Sequence, residues 1–240
     1  MKKIALLLLL VPFIGTAQFK DFIKKAADKA STLTKTNTSI DIAAGLKEAL
    51  NKGVTEQVSK LTAIDGFYKN ETVKILMPEE LARVDKTLRK MGMANLADDG
   101  IKALNRAAED AVKEATPIFV SAIKNITITD AKSILLGNDT AATTYLQSST
   151  TVPLYAKFSP VVQKSINKVG ADVIWTSIIK KYNTIPLVSK VNPDITDYIT
   201  NKALDGVFKM ITVEEKNIRT NLNARTSDVL KKVFALQDKK

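Results

Sequence analysis

The sequence predicts an all-α protein: a single compact multi-helix domain preceded by a signal peptide and a short amphipathic helix. Three observations carry this reading. Apolar residues recur at three- and four-residue spacing through the segments after residue 40, which is the period of a helix with one buried face. Prolines and glycines fall where those stripes stop. No run of alternating residues is long enough to build a sheet, and no fixed-period repeat interrupts the pattern.

The N-terminus opens with Lys2 and Lys3, continues through the apolar stretch Ile4 to Ile14, and gives Gly15-Thr16-Ala17 before Gln18. That is the layout of a cleaved secretory signal, so residues 1–17 are expected to be removed and the mature chain to start near Gln18. The apolar run is shorter than the roughly 18 to 20 residues of a membrane-spanning helix, and no later segment is free of charges for that length. Anchoring as a lipoprotein requires a cysteine after the apolar run, and the chain has none. The expected location is therefore periplasmic or extracellular, as a soluble protein with no disulfides, stabilised by burial alone. The formal charge is +11, and loss of residues 1–17 would take away only two lysines. For an exported protein such charge suits anionic lipid headgroups, lipopolysaccharide, cell-wall polymers or acidic proteins, but lysines scattered along every helix read first as a solvated surface.

Residues 18–39 read as a basic amphipathic helix with a polar tether. Phe19, Phe22, Ile23, Ala26, Ala27, Ala30 and Leu33 share one face, and Lys20, Lys24, Lys25, Asp28 and Lys29 fill the other. Ser31 to Ser39 is poor in core-forming residues. The helix either lies on a membrane or partner surface or packs on its own domain.

The main domain is placed at residues 40–236, with a basic tail at 237–240. Ser39 is suited to cap a helix carrying Ile42, Leu46, Ala49, Leu50, Val54, Val58 and Leu61 inward, and Asp65-Gly66 ends it. From Phe67 to Met77, Val73, Ile75 and Met77 alternate with Thr72, Lys74 and Leu76, predicting extended chain. Pro78 restarts a helix with Leu81, Val84, Leu88 and Met91 as its stripe and Gly92 as its C-terminal cap. A long helix from Asn95 turns Leu96, Ile101, Leu104, Ala108, Ala111, Val112 and Ala115 inward, and Pro117 begins its continuation through Phe119 and Ile123. Thr129 is expected to cap a short helix stapled by Ile128 and closed by Gly137, with Asp139 capping the next. Further helices are predicted around 153–158, 161–169, 171–183, 195–219 and 226–236.

Particular strings then stand out: Asp65-Gly66-Phe67-Tyr68 with Asn70, NRAAEDA at 105–111, PIFVSAI at 117–123, DAKSILLG at 130–137, AATTYL at 141–146, ALDGVF at 203–208, and LKKVF at 230–234. In this order and spacing the chain resembles the bacterial domain-of-unknown-function family 4197, over roughly residues 43–236. The resemblance implies an exported helical protein and assigns no activity, ligand or catalytic residue. One departure is Asn221-Leu222-Asn223, where the family pattern has Asp-Pro, which leaves the local turn geometry open.

The chain has no histidine and no cysteine, which excludes Ser-His-Asp triads, Cys-His pairs and imidazole or thiolate zinc sites. The glycine-rich phosphate loops and the GxSxG elbow are missing, and no cofactor is predicted. Three SxxK matches, at Ser121, Ser165 and Ser177, lack the partner motifs of serine–lysine hydrolases and follow from lysine-rich helices. Aromatic residues are spread singly, so no single-strand nucleic-acid platform is expected. No calcium-loop pattern accompanies the carboxylates, and no metal is predicted.

Two places remain as a candidate site. Asn105 and Glu109 lie four residues apart beside an apolar stripe with Arg106 within reach of Glu109 or Asp110, giving either a half-buried polar site or an ordinary helix-surface ion pair. Asp65, Phe67, Tyr68 and Asn70 form an aromatic turn that either lines a cleft or plugs the core. The expected function is a non-catalytic envelope binding protein for an apolar or anionic ligand or a protein partner. The alternative is a carboxylate-dependent hydrolase around Asn105, Arg106 and Glu109.

Overall fold

The structure, a computed structural model, describes residues 42–238 except 79–81, 93, 171, 174, 177–179, 181, 182, 185, 188, 189, 191 and 193. The signal, the 18–39 helix and tether, and most of the 171–183 helix therefore lie outside the described residues. What is described is helical, with no strand among those residues. Helix α1 spans 42–62 and buries Leu46, Ala49, Val54, Val58 and Leu61, the stripe that its sequence spaces at helical period. It is followed by α2 (Ala82–Lys90), α3 (Ala94–Val112), α4 (Ala115–Lys124), α5 (Ile128–Leu135), α6 (Ala141–Asn167), α7 (Ile195–Thr220) and α8 (Asp228–Phe234).

Helix α6 is the hub, packing on α3, α4, α5 and α7, while α3 also packs on α7. Close approach rests on small residues: Ala107, Ala108, Ala111 and Ala115 are fully buried. Phe119 of α4 meets Phe208 of α7 edge to face, with ring centroids 6.0 Å apart. Gly45 of α1 sits so close to α8 that a Cβ there would lie 2.4 Å from Val233 Cγ2. The described residues from 42 to 238 form one compact unit around a continuous apolar core.

Several local expectations are corrected. The segments 153–158 and 161–169 are not separate helices, because α6 runs straight through Pro153 and Pro160. Both prolines are exposed, so the carbonyls they deprive of a donor face solvent. The opposite face buries Leu146, Thr150, Leu154, Phe158, Val162 and Ile166 at four-residue spacing, which outweighs the helix-breaking cost. Thr127, not Thr129, caps α5: its hydroxyl accepts from Asp130 N, and the Asp130 carboxylate accepts from Thr127 N. Ile128 is 51% exposed and staples nothing. Thr140, not Asp139, holds the cap position of α6, and its N–H and hydroxyl both donate to Asn138 Oδ1. Met91 is exposed rather than part of the α2 stripe, while Gly92 takes the positive φ of +76° expected at that helix end. Asn221 side-chain oxygen accepts from Asn223 N and caps a 3-10 turn at Leu222–Ala224, which settles the turn left open there.

Candidate functional site

Residues 63–78 form an irregular crossing between α1 and α2, made of turns up to Val73 and non-helical chain beyond. The predicted alternation survives as burial, with Val73 and Ile75 inside and Thr72 and Leu76 outside. No ladder strand holds this chain. Asn105 of α3 does so instead, and it is completely buried. Its Oδ1 accepts from Ile75 N at 2.8 Å, and its Nδ2 donates to Ile75 O at 2.8 Å and to Ile101 O at 2.7 Å. The carboxamide thus pairs with one residue as a neighbouring strand would.

One turn further along α3, Glu109 is 4% exposed. Its Oε1 accepts from Phe67 N at 3.0 Å and Tyr68 N at 3.4 Å, and its Oε2 accepts from Arg106 Nη1 at 2.5 Å. Arg106 Nη2 donates to Asp65 Oδ1 at 2.5 Å, and Lys69 Nζ reaches Asp65 Oδ2 at 2.8 Å. Asp65 stands at φ +67°, in the left-handed region. At Gly66 a Cβ would lie 2.4 Å from Lys60 O and 2.5 Å from Leu61 O, so only glycine fits the turn against the end of α1. A hydrogen bond and the charge of Lys69, joined by the charge of Arg106, hold the Asp65 carboxyl below its ordinary value against some desolvation. Arg106 is raised, first by its hydrogen bond to Glu109.

The structure thus brings Asp65, Phe67, Tyr68, Arg106 and Glu109 into one network, with Asn105 beside it. Phe67 is fully buried against Gly206, where a Cβ would lie 2.7 Å from Phe67 Cε1. Tyr68 is half-buried, with Lys74 Nζ 4.8 Å above its ring. Asn70 stays outside the network: its Oδ1 accepts from Thr72 N, and its Nδ2 lies 3.8 Å from Met210 Sδ. The Arg106–Glu109 ion pair at i, i+3 is present, with Arg106 partly exposed and Glu109 inside. Both Asn105 and Glu109 are buried, and their polar atoms are directed at the backbone of the crossing chain.

Two other polar features lie outside the residues that the sequence singles out. The first is a buried cluster at the far end of α7. Glu215 accepts from Ala142 N, Thr143 N and the Thr143 hydroxyl, at 2.8 to 2.9 Å, and so caps α6 from another helix. Arg219 bonds Glu215 and donates to the last carbonyls of α5, Ile134 O at 2.7 Å and Leu135 O at 3.1 Å. Arg225 likewise closes α7 through Ile218 O and Arg219 O, and pairs with Asp238. The sequence carried a signal for this: Glu215 falls on the stripe of Leu204, Phe208, Ile211 and Ile218, a core position given to a charge. The second is a cleft between residues 72–76 and α7, lined in part by Lys74, Lys202 and Lys209. Its two walls are far apart in sequence, so no local motif marks it.

Among the described residues no group of three or more acidic side chains is placed to hold a metal ion, and no helix is long and apolar enough to cross a membrane. The model of the family described as a protein of unknown function, DUF4197, matches residues 36–235. No curated protein and no solved structure matches the chain significantly.

Proposed function

This chain belongs to the DUF4197 family, and we propose that it is a non-catalytic binding protein of the cell envelope, exported by its N-terminal signal. The supporting observation is the commitment of Glu109. Both of its oxygens already accept hydrogen bonds, from Phe67 N, Tyr68 N and Arg106, so the carboxylate spends its acceptors on holding the turn. Asn105 is occupied in the same way by Ile75 and Ile101. General acid–base chemistry needs a group within reach of a substrate proton, and a 4% exposed carboxylate aimed at backbone amides lacks that reach. With no histidine or cysteine in the chain, the remaining side chains suit recognition. The basic composition favours an anionic ligand or surface, and the amphipathic segment 19–33 is the part best suited to a membrane or a partner.

The test is native mass spectrometry of the exported protein purified from its own host, followed by solvent extraction of any bound molecule. A stoichiometric small molecule, or a partner captured by cross-linking when the mass is bare, is the expected result. A hydrolytic activity that disappears in Glu109→Gln while the fold is kept would overturn this reading in favour of the carboxylate hydrolase.

A further inference from the structure

The cleft beside the Asn105 and Glu109 network has a volume of about 440 Å³, within the range of small-molecule sites. One wall is a single face of α7, with Tyr198, Lys202, Asp205 and Lys209 at spacings of three and four. The facing wall is residues 72–76, among which Lys74 lines the cleft while its Nζ rests 4.8 Å over the Tyr68 ring. The floor is apolar, since Val73, Ile75 and Gly206 are buried. Leu76, 57% exposed, gives the rim an apolar edge.

Both walls are fixed before any ligand arrives. Ile75 is pinned by Asn105, and the Tyr198 hydroxyl donates to Leu76 O at 2.9 Å. Phe67 is wedged against Gly206 beneath the floor. The nearby carboxylates compensate the three lysines only in part. Lys202 Nζ is 3.9 Å from Asp205 and Lys74 Nζ is 3.9 Å from Glu71, and these carboxylates are 71% and 88% exposed. Such long solvated pairs hold little energy and release their lysines at small cost.

We propose that this cleft binds a phosphate-bearing organic anion. Lys74, Lys202 and Lys209 hold the phosphoryl group, and the apolar floor with Leu76 takes the adjoining carbon portion. Lysines only donate, so the complementary group is an acceptor carrying negative charge. An ammonium is a compact point charge suited to the tetrahedral distribution of a phosphoryl group, whereas planar carboxylates favour the arginine fork that this cleft lacks. The proposal rests on the binding-protein reading and gives it a place and a ligand class.

The full chain would be titrated calorimetrically with inorganic phosphate and octyl phosphate, and floated with phosphatidylglycerol/phosphatidylcholine vesicles. Lys74→Gln/Lys202→Gln/Lys209→Gln would be compared with a charge-matched control, Lys132→Gln/Lys157→Gln/Lys164→Gln, at exposed positions elsewhere. Circular dichroism establishes that both are folded, and Lys209→Gln alone serves if the triple variant is not. Octyl phosphate should bind more tightly than phosphate. The cleft variant should weaken it at least about tenfold and the control no more than about twofold, since only the cleft lysines make charge-assisted bonds. Binding of octyl phosphate without flotation assigns the site to a soluble phosphate ester, and flotation lost together with it assigns a lipid headgroup. Absence of octyl phosphate binding, or equal losses in the two variants, would overturn the proposal. A different molecule recovered from the native protein would then leave the binding-protein reading intact.

Discussion

A carboxamide donates and accepts at once, and Asn105 uses both capacities against a single residue of the crossing chain. An aspartate of the same shape only accepts when ionised, so Asn105→Asp would face Ile75 O and Ile101 O with like partial charge in a fully buried site. We expect a loss of roughly 2–3 kcal/mol at neutral pH, read as a shift in the urea midpoint. The unsubstituted protein should respond to acid through Asp65. Its folded carboxyl titrates below the ordinary value of 3.8, so its contribution is complete above that value and is lost as the pH falls through the folded one. Asp65→Asn should flatten the stability profile in that acidic window; an unchanged profile would mean that the Lys69 and Arg106 pairings contribute nothing. The opposite sign is expected at Tyr155, whose hydroxyl donates to Asp197 Oδ1 at 2.6 Å. That bond, with desolvation, pushes its pKa up to about 12. Its contribution is complete below the ordinary 10.0 and lost as the pH rises towards 12. A phenol titration should find Tyr155 among the late tyrosines, and Asp197→Ala should bring it down part of the way, since burial still raises it.

Helices follow from the apolar period wherever packing and local punctuation agree, and they disagree most in α6. Proline predicts a helix boundary because it lacks a donor and its ring crowds the preceding turn. Which face it occupies depends on the neighbours: with α3, α4, α5 and α7 against the opposite side, Pro153 and Pro160 sit on the solvent face of one 27-residue helix. The same limit applies to caps. Thr127 and Thr129 are equivalent as residue types, and only the position of Asp130 decides which hydroxyl caps α5; Thr140, at the start of α6, makes no side-chain capping bond. By contrast α1, α3 and α7 were legible nearly to their ends, since their apolar stripes are long even where a buried polar residue takes one position. Pro160→Ala should therefore stabilise the protein. It regains a backbone hydrogen bond and relieves the ring contact, worth up to about 3 kcal/mol in a helix interior, against about 1 kcal/mol from a freer unfolded chain. A melting temperature unchanged or lowered would show that the helix is locally bent to suit the proline.

At the scale of the whole molecule, the candidate network was legible as neighbours on α3 but not in its purpose, because the chain it holds lies thirty or more residues away. The same holds for Glu215 and Arg219, which are a helical i, i+4 pair in sequence and a joint between three helices in space. The carboxylate sits at the start of α6, where the helix dipole is positive, and the guanidinium at the end of α5, where it is negative. Both side chains are buried, to 6% and 1% exposure, so neither charge has water to fall back on. Glu215→Ala should cost roughly 3–5 kcal/mol, since it strands the Arg219 charge and leaves the amides of Ala142 and Thr143 without their acceptor. Arg219→Met should cost a similar amount by leaving Glu215 an unpaired buried anion. The double variant removes both charges together, so its cost should fall below the sum of the singles by about 1–3 kcal/mol. Equal sums in equilibrium unfolding would mean that the two groups act independently, each as a cap for its own helix. A shortfall of the expected size would make the pair one joint, through which α5, α6 and α7 unfold together.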